Sequence, residues 1–131
     1  MELKVEISVG ELLDKITILE IKSERITDPT KLANITTELE TLRRTWEASP
    51  LAELDLGDLS FRLKAVNEAL WDIEDGIRAL EAAQSFGDEF IELARAVYHR
   101  NDERAALKRE INRLAGSRLV EEKSYTDYQA E

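Results

Sequence analysis

The stretch DEFIELARAVYHRNDERAALKREINRLAG, residues 88–116, decides how this chain is read. Phe90, Leu93, Val97, Arg100, Arg104, Leu107, Ile111 and Leu114 recur at alternating steps of three and four, so they share one stripe of an α-helix. The stripe is apolar at both ends and cationic in its middle. A guanidinium on a buried face needs acidic partners or a cavity, so the break at Arg100 and Arg104 marks a candidate site. Asp88 opens this helix and Gly116 closes it.

Three further helices precede it. Leu59, Leu63, Val66, Leu70, Ile73, Ile77 and Leu80 form the most regular seam, opened by Gly57-Asp58 and followed by the turn Ser85-Phe86-Gly87. Leu32, Ile35, Leu39, Leu42 and Trp46 form a heptad seam between Asp28-Pro29, a cap with a first-turn proline, and Ser49-Pro50. Trp46 reads as the cover of that end of the core. Ser8 with Glu11 reads as a capping box ahead of Leu12, Ile16, Leu19 and Ile26, with Ile18 and Ile21 widening the face. Before it, Leu3, Val5, Ile7 and Val9 alternate with polar residues, the period of a short strand whose partner is the tail around Leu119 and Val120 or a second copy.

The expected fold is all-α: an antiparallel four-helix bundle with two short and two long helices, plus a short N-terminal extended segment. Residues 1–131 make one domain, with 1–7 as an extended arm and 117–131 as a polar tail. The short helices should span ~27 Å and the long ones ~40 Å, leaving an overhang of roughly 13 Å. An overhanging apolar seam calls for a cover, which predicts a homo-oligomer, a dimer or higher; a tail folded back over it is the alternative.

Composition narrows the function. The chain has no cysteine, which excludes disulfides, thiol catalysis and zinc-thiolate sites. A formal charge of −10 argues against nucleic acid. No apolar run reaches membrane-spanning length and Met1 to Gly10 lacks a signal core, so no membrane and a cytoplasmic location are expected. Charge is uneven, however. From Arg95 to Arg118 seven cations face three anions, and this segment carries +4 while the remainder carries −14. A solvated basic face would account for that as well as an anion site does.

Beside the broken seam runs a second stripe, Tyr98, Asn101, Ala105, Lys108 and Asn112, and the preceding helix offers Asn67, Trp71, Glu74 and Arg78. The expected ligand-binding set is Trp71 and Tyr98 for stacking, Arg100, Arg104 and Lys108 for anionic groups and Asn101 for hydrogen bonding. Lys123 and Tyr125 would close the pocket from the tail. The alternative is a polar inter-helix layer in which Arg104 pairs with Glu74 or Asp75 and fixes register. Glu68, Asp72 and Asp75 on one face, with Glu20 and Glu24 one turn apart, have the spacing to hold Mg²⁺ for nucleotide hydrolysis, although such pairs also arise by chance in an acidic chain. No catalytic residue, metal site or cofactor is assigned, and His99 reads as a surface residue.

The stretches SVGELLDKITILEIKSERI (8–26), LWDIED (70–75), NDERA (101–105) and EEKSY (121–125) resemble a small all-helical bacterial and phage family of unknown function. The resemblance covers nearly the whole chain. It implies no activity, but it favours one pocket shared by the first, third and fourth helices and the tail. Leu13-Asp14-Lys15-Ile16 with Arg25 is similar to the first helix of all-helical chorismate mutases. The leading expectation is a non-catalytic oligomeric protein that binds or sequesters a small anionic ligand, nucleotide or sugar-phosphate-like. Small phage proteins that sequester nucleotide immune signals are similar in general design. The alternatives are an all-α Mg-dependent nucleotide pyrophosphohydrolase, whose paired acidic motifs Glu20, Glu24, Asp72 and Asp75 resemble, and a structural or adaptor protein linked to sugar transfer.

Overall fold

A computed structural model describes residues 1–129. The chain is all-helical: α1 (Val9–Arg25), α2 (Pro29–Ala48), α3 (Leu59–Ala82) and α4 (Asp88–Ala115), with a 3₁₀ turn over Pro50–Glu53. The caps follow from local chemistry. Ser8 Oγ accepts from the Glu11 amide at 3.2 Å, and Asp28 Oδ1 accepts from Thr30 at 2.9 Å and Lys31 at 3.3 Å. Past α4, Gly116 takes a left-handed φ of 65°, letting the Ser117 amide reach the Asn112 carbonyl at 2.9 Å. Gln84 does the same after α3 with a φ of 53°, a conformation that costs a side-chain-bearing residue roughly 1–2 kcal/mol.

The packing centres on α1, which meets α2, α3 and α4, while α3 also packs on α4. One stripe of α1, Leu13, Ile16 and Leu19, joins the apolar core with Ile35, Leu39, Leu59, Leu63, Val66, Leu70, Leu107 and Ile111. A second buried stripe, Gly10, Asp14 and Thr17, meets α3 and α4 through polar contacts. Trp46 is half-buried against the core, as its place at the end of the α2 seam implies. No described helix is long and apolar enough to cross a membrane.

Two expectations meet different fates. The helices have 17, 20, 24 and 28 residues, so the last two do outrun the first two. Core positions end at Leu70 on α3 and begin at Leu107 on α4, and beyond them Ile73, Ile77, Leu80, Phe90, Leu93 and Val97 are only half-buried. The strand, by contrast, does not form: residues 1–8 carry no strand, and Leu3 and Val5 stand 89% and 73% exposed. Alternation gives a strand two faces but no ladder partner. The tail meets the arm through an Arg118–Glu6 ion pair at 3.0 Å rather than by backbone pairing.

Helix α1 approaches α4 so closely that a Cβ at Gly10 would lie 2.7 Å from the Lys108 carbonyl oxygen and 2.9 Å from Asn112 Oδ1. At Gly76 the added Cβ would meet only the end of the Leu93 side chain, at 2.9 Å. Helix propensity favours alanine over glycine by roughly 0.5–1 kcal/mol at either position. Gly10→Ala should nevertheless lower the melting temperature, because a backbone carbonyl cannot swing aside. Gly76→Ala should leave it unchanged or raise it. Equal responses in thermal melts would contradict the close α1–α4 contact.

Candidate functional site

The centre of the molecule is a polar layer laid down by three helices. Lys108, Asn112, Asp14, Thr17 and Asn67 are all buried. Lys108 Nζ lies 2.7 Å from Glu11 Oε2, 3.7 Å from Asp14 Oδ2 and 3.0 Å from Glu121 Oε2. Asn67 Nδ2 donates to Asp14 Oδ1 at 2.8 Å and to Thr17 Oγ1 at 3.0 Å, and Arg104 Nη1 donates to Asn67 Oδ1 at 3.4 Å. Asn112 Oδ1 accepts from the Gly10 amide at 2.7 Å. Among the described residues no buried side-chain polar atom is left without a partner. Every buried side-chain polar atom of the layer is thus satisfied, which is the condition under which a buried charge is tolerated.

Burial pulls the Lys108 ammonium toward neutrality, but hydrogen bonds to Glu11 and Glu121, with Asp14 nearby, outweigh it and raise its pKa above the ordinary lysine value. The hydrogen bond from Lys108 holds the Glu121 carboxyl below the usual carboxylate range, against a smaller opposing effect of burial. Glu121 belongs to the C-terminal tail, so this pair also pins the tail to α4. Further along, Tyr128 donates to Asp102 Oδ2 at 2.6 Å. Contacts 121-to-108 and 128-to-102 mean that the tail doubles back along α4, reversing its direction.

The layer separates two recesses. One, about 170 Å³, lies between the end of α4 and the tail and is lined by Lys108, Arg109, Arg113 and Lys123 around a single carboxylate, Glu121. Arg113 is engaged by Glu110, while Arg109 and Lys123 form no ion pair among the described residues. The other, about 320 Å³, has Ile18, Ile21 and Leu70 as its apolar lining and Asn67, Trp71, Glu74, Asp75 and Arg104 around them. The bonds Lys108–Asp14–Asn67–Arg104 run from one recess to the other.

The residues expected to form one pocket are thus distributed. Trp71 and Arg104 share the larger recess, and Lys108 and Lys123 share the cationic one. Tyr98 and Tyr125 meet in a third pocket farther along the tail. Asn101 is half-buried and lines none of these three. Arg100 is not on a buried face as the broken seam implied: it is exposed and paired with Glu103 at 3.1 Å, and it lines a separate open groove between α3 and α4 with Phe61, Arg62 and Leu107. Lys108 lies about 80° around the helix from Arg100 and faces α1 instead. The core on α4 has not yet begun at Arg100, so its guanidinium finds water and a carboxylate one turn on. A polar layer does form, but Arg104 joins it through Asn67, while Glu74 pairs with Arg78 at 3.5 Å.

Asp14, Thr17 and Glu11 were not read as site residues from the sequence, and Asn67 was noted beside the site without a partner. Their signal was a polar residue standing at core spacing, Asn67 between Leu63 and Leu70 and Asp14-Thr17 ahead of Ile21. Four of the five carboxylates with Mg²⁺-like spacing face a cation: Asp72 and Glu68 meet Arg25, Glu24 meets Lys64 and Glu20 meets Arg43. Asp75 lines the larger recess. Among the described residues no group of three acidic, histidine or cysteine side chains is placed to hold a metal ion.

Residues 3–130 match a family of unknown function (DUF6165), and the chain belongs to that family. No curated protein and no solved structure matches it.

Two shifted groups of the layer give it a pH dependence. Glu121 has a lowered pKa, so its contribution to stability is present above the ordinary carboxylate value, ~4.3, and is lost as pH falls through the lowered one. Lys108 has a raised pKa, so its contribution is present below ~10.4 and is lost as pH rises through the raised value. Resistance to urea unfolding should therefore fall toward both extremes. Glu121→Gln should shrink the acid limb, and Lys108→Met should lose about 3 kcal/mol at neutral pH by stranding Asp14. A Lys108→Met protein as stable as the parent would contradict the layer.

Proposed function

We propose that this protein binds a small anionic ligand without transforming it, at the cationic recess between α4 and the tail. The observation that carries the reading is the pair Arg109 and Lys123, exposed on the lining of this recess and carrying no ion pair among the described residues, while Lys108 and Arg113 beside them are already paired. Guanidinium and ammonium donors on a common wall suit phosphate or carboxylate oxygens. At about 170 Å³ the recess is smaller than the roughly 300–1,000 Å³ that encloses a drug-sized ligand. It would therefore enclose the anionic group and leave the rest of a nucleotide or sugar phosphate outside.

Self-association belongs to the same reading. The half-buried apolar seam on α3 and α4 beyond Leu70 supports a homo-oligomer in which a second copy covers it. Gly76 beside Leu93, and Asn67 beside Arg104, support an antiparallel run of α3 and α4 within an up-down-up-down bundle.

Thermal shift with inorganic phosphate, nucleotides and sugar nucleotides tests the proposal. A ligand at 100 times its dissociation constant should add ~2.7 kcal/mol, and an Arg109→Ala, Lys123→Ala double variant should lose that gain while melting normally unliganded. Native mass spectrometry should report more than one copy. Unchanged melting across the panel would overturn the binding reading. Magnesium-dependent hydrolysis of a nucleoside triphosphate, abolished by Asp72→Ala, would overturn its non-catalytic part.

A further inference from the structure

The chain has three tyrosines, and all three line one pocket. Tyr98 comes from α4, and Tyr125 and Tyr128 come from the tail that doubles back over it. The remaining lining is Asp102, Thr126 and Asp127, enclosing about 480 Å³, and neither lysine nor arginine is part of it. Two of the rings are held by contacts with their neighbours. Tyr98 and Tyr128 lie 4.7 Å apart between centroids at 64°, and His99 stacks edge-on against Tyr128 at 5.0 Å. The Tyr128 hydroxyl donates to Asp102 at 2.6 Å and lies 3.3 Å from His99 Nδ1. Arg95, which donates to the Tyr98 hydroxyl at 3.3 Å, stands outside the lining.

Three aromatic faces with two carboxylates form an electronegative concavity. The face of an aromatic ring carries the negative part of its quadrupole, and its attraction on a cation grows as water is excluded. An anion would be repelled here, so this pocket is opposite in character to the cationic recess. A small hydrated metal ion would have to give up its water for ring faces that cannot replace it. A weakly hydrated alkylated ammonium surrenders little and fits both the aromatic walls and the diffuse charge.

We propose that Tyr98, Tyr125 and Tyr128, with Asp102 and Asp127, form a cage for a quaternary ammonium group. The group can reach it on a free small molecule or on a lipid headgroup. The hydrogen bond to Asp102 pushes the Tyr128 phenol up to about 12, which keeps its ring neutral through the physiological range. This site is independent of the anion recess, because a simple quaternary ammonium has no group for Arg109 or Lys123 to take.

Full-length protein titrated with choline, followed through the tyrosine ring resonances, provides the test. Choline should bind, and its uncharged tert-butyl isostere should bind about tenfold more weakly or less. Tyr125→Ala is the informative variant, since Tyr125 is 81% exposed and lies outside the helices, so its loss leaves the core intact. It should weaken choline by about fivefold, and Asp127→Asn should weaken it in the same direction. Choline binding accompanied by co-sedimentation with phosphatidylcholine vesicles supports the cage with a lipid source; choline binding without it supports the cage with a soluble one. No choline binding, equal binding of the isostere, or a Tyr125→Ala protein with undiminished affinity would overturn the proposal.

Discussion

One ammonium group organises this molecule. Lys108 is buried near the end of α4 and meets carboxylates from two other segments, Glu11 and Asp14 of α1 and Glu121 of the tail. Removing a lysine head from water costs several kcal/mol, and only a complete set of partners offsets that cost. The partners come from segments nearly 100 residues apart in the chain, as the 97-residue separation of Glu11 and Lys108 shows. Satisfying one charge therefore fixes how the first helix lies against the last and where the tail begins its return. The glycine at position 10 belongs to the same arrangement, since only a residue without a Cβ lets the backbones approach at this level.

From that constraint the rest of the surface follows. The layer that holds Lys108 reaches through Asp14 and Asn67 to Arg104, and recesses lie at both of its ends. Tail residues pinned at Glu121 continue toward Tyr128, so α4 and the tail together enclose both a cation-lined recess and an aromatic, acid-lined pocket. Two concavities of opposite electrostatic character on one strap of chain are unusual for a protein of net charge −10, whose acidic surface would otherwise repel anions everywhere. Of the seven cations between Arg95 and Arg118, Lys108, Arg109 and Arg113 line the cationic recess.

Much of the architecture was legible because helix boundaries are written in local chemistry. Ser8, Asp28-Pro29 and Gly116 each act within one turn of themselves, and the helices begin and end where those residues stand. Periodicity gave the seams but could not set the angle at which a seam meets its neighbour. Arg100 and Lys108 are both candidates on a helical wheel, and only the contact with α1 separates the exposed one from the buried one. The pairing of Asp14 with Asn67 was not legible, because a polar residue at core spacing looks like a flaw in a seam until its partner on another helix is known. The N-terminal alternation misled for a related reason: a strand is a property of a pair. The return path of the tail, set by Glu121 and Tyr128, rests wholly on contacts far apart in sequence.

The central claim is that Lys108 is charged, enclosed and held by carboxylates at neutral pH. Nitrogen-15-edited NMR of the lysine side chains reads this directly, because an enclosed ammonium exchanges its protons with water far more slowly than an exposed one. One slowly exchanging ammonium resonance, with dipolar contacts to Glu11 and Asp14, should be present and should disappear in Lys108→Arg. A spectrum in which every lysine ammonium exchanges as fast as those on the surface would contradict it.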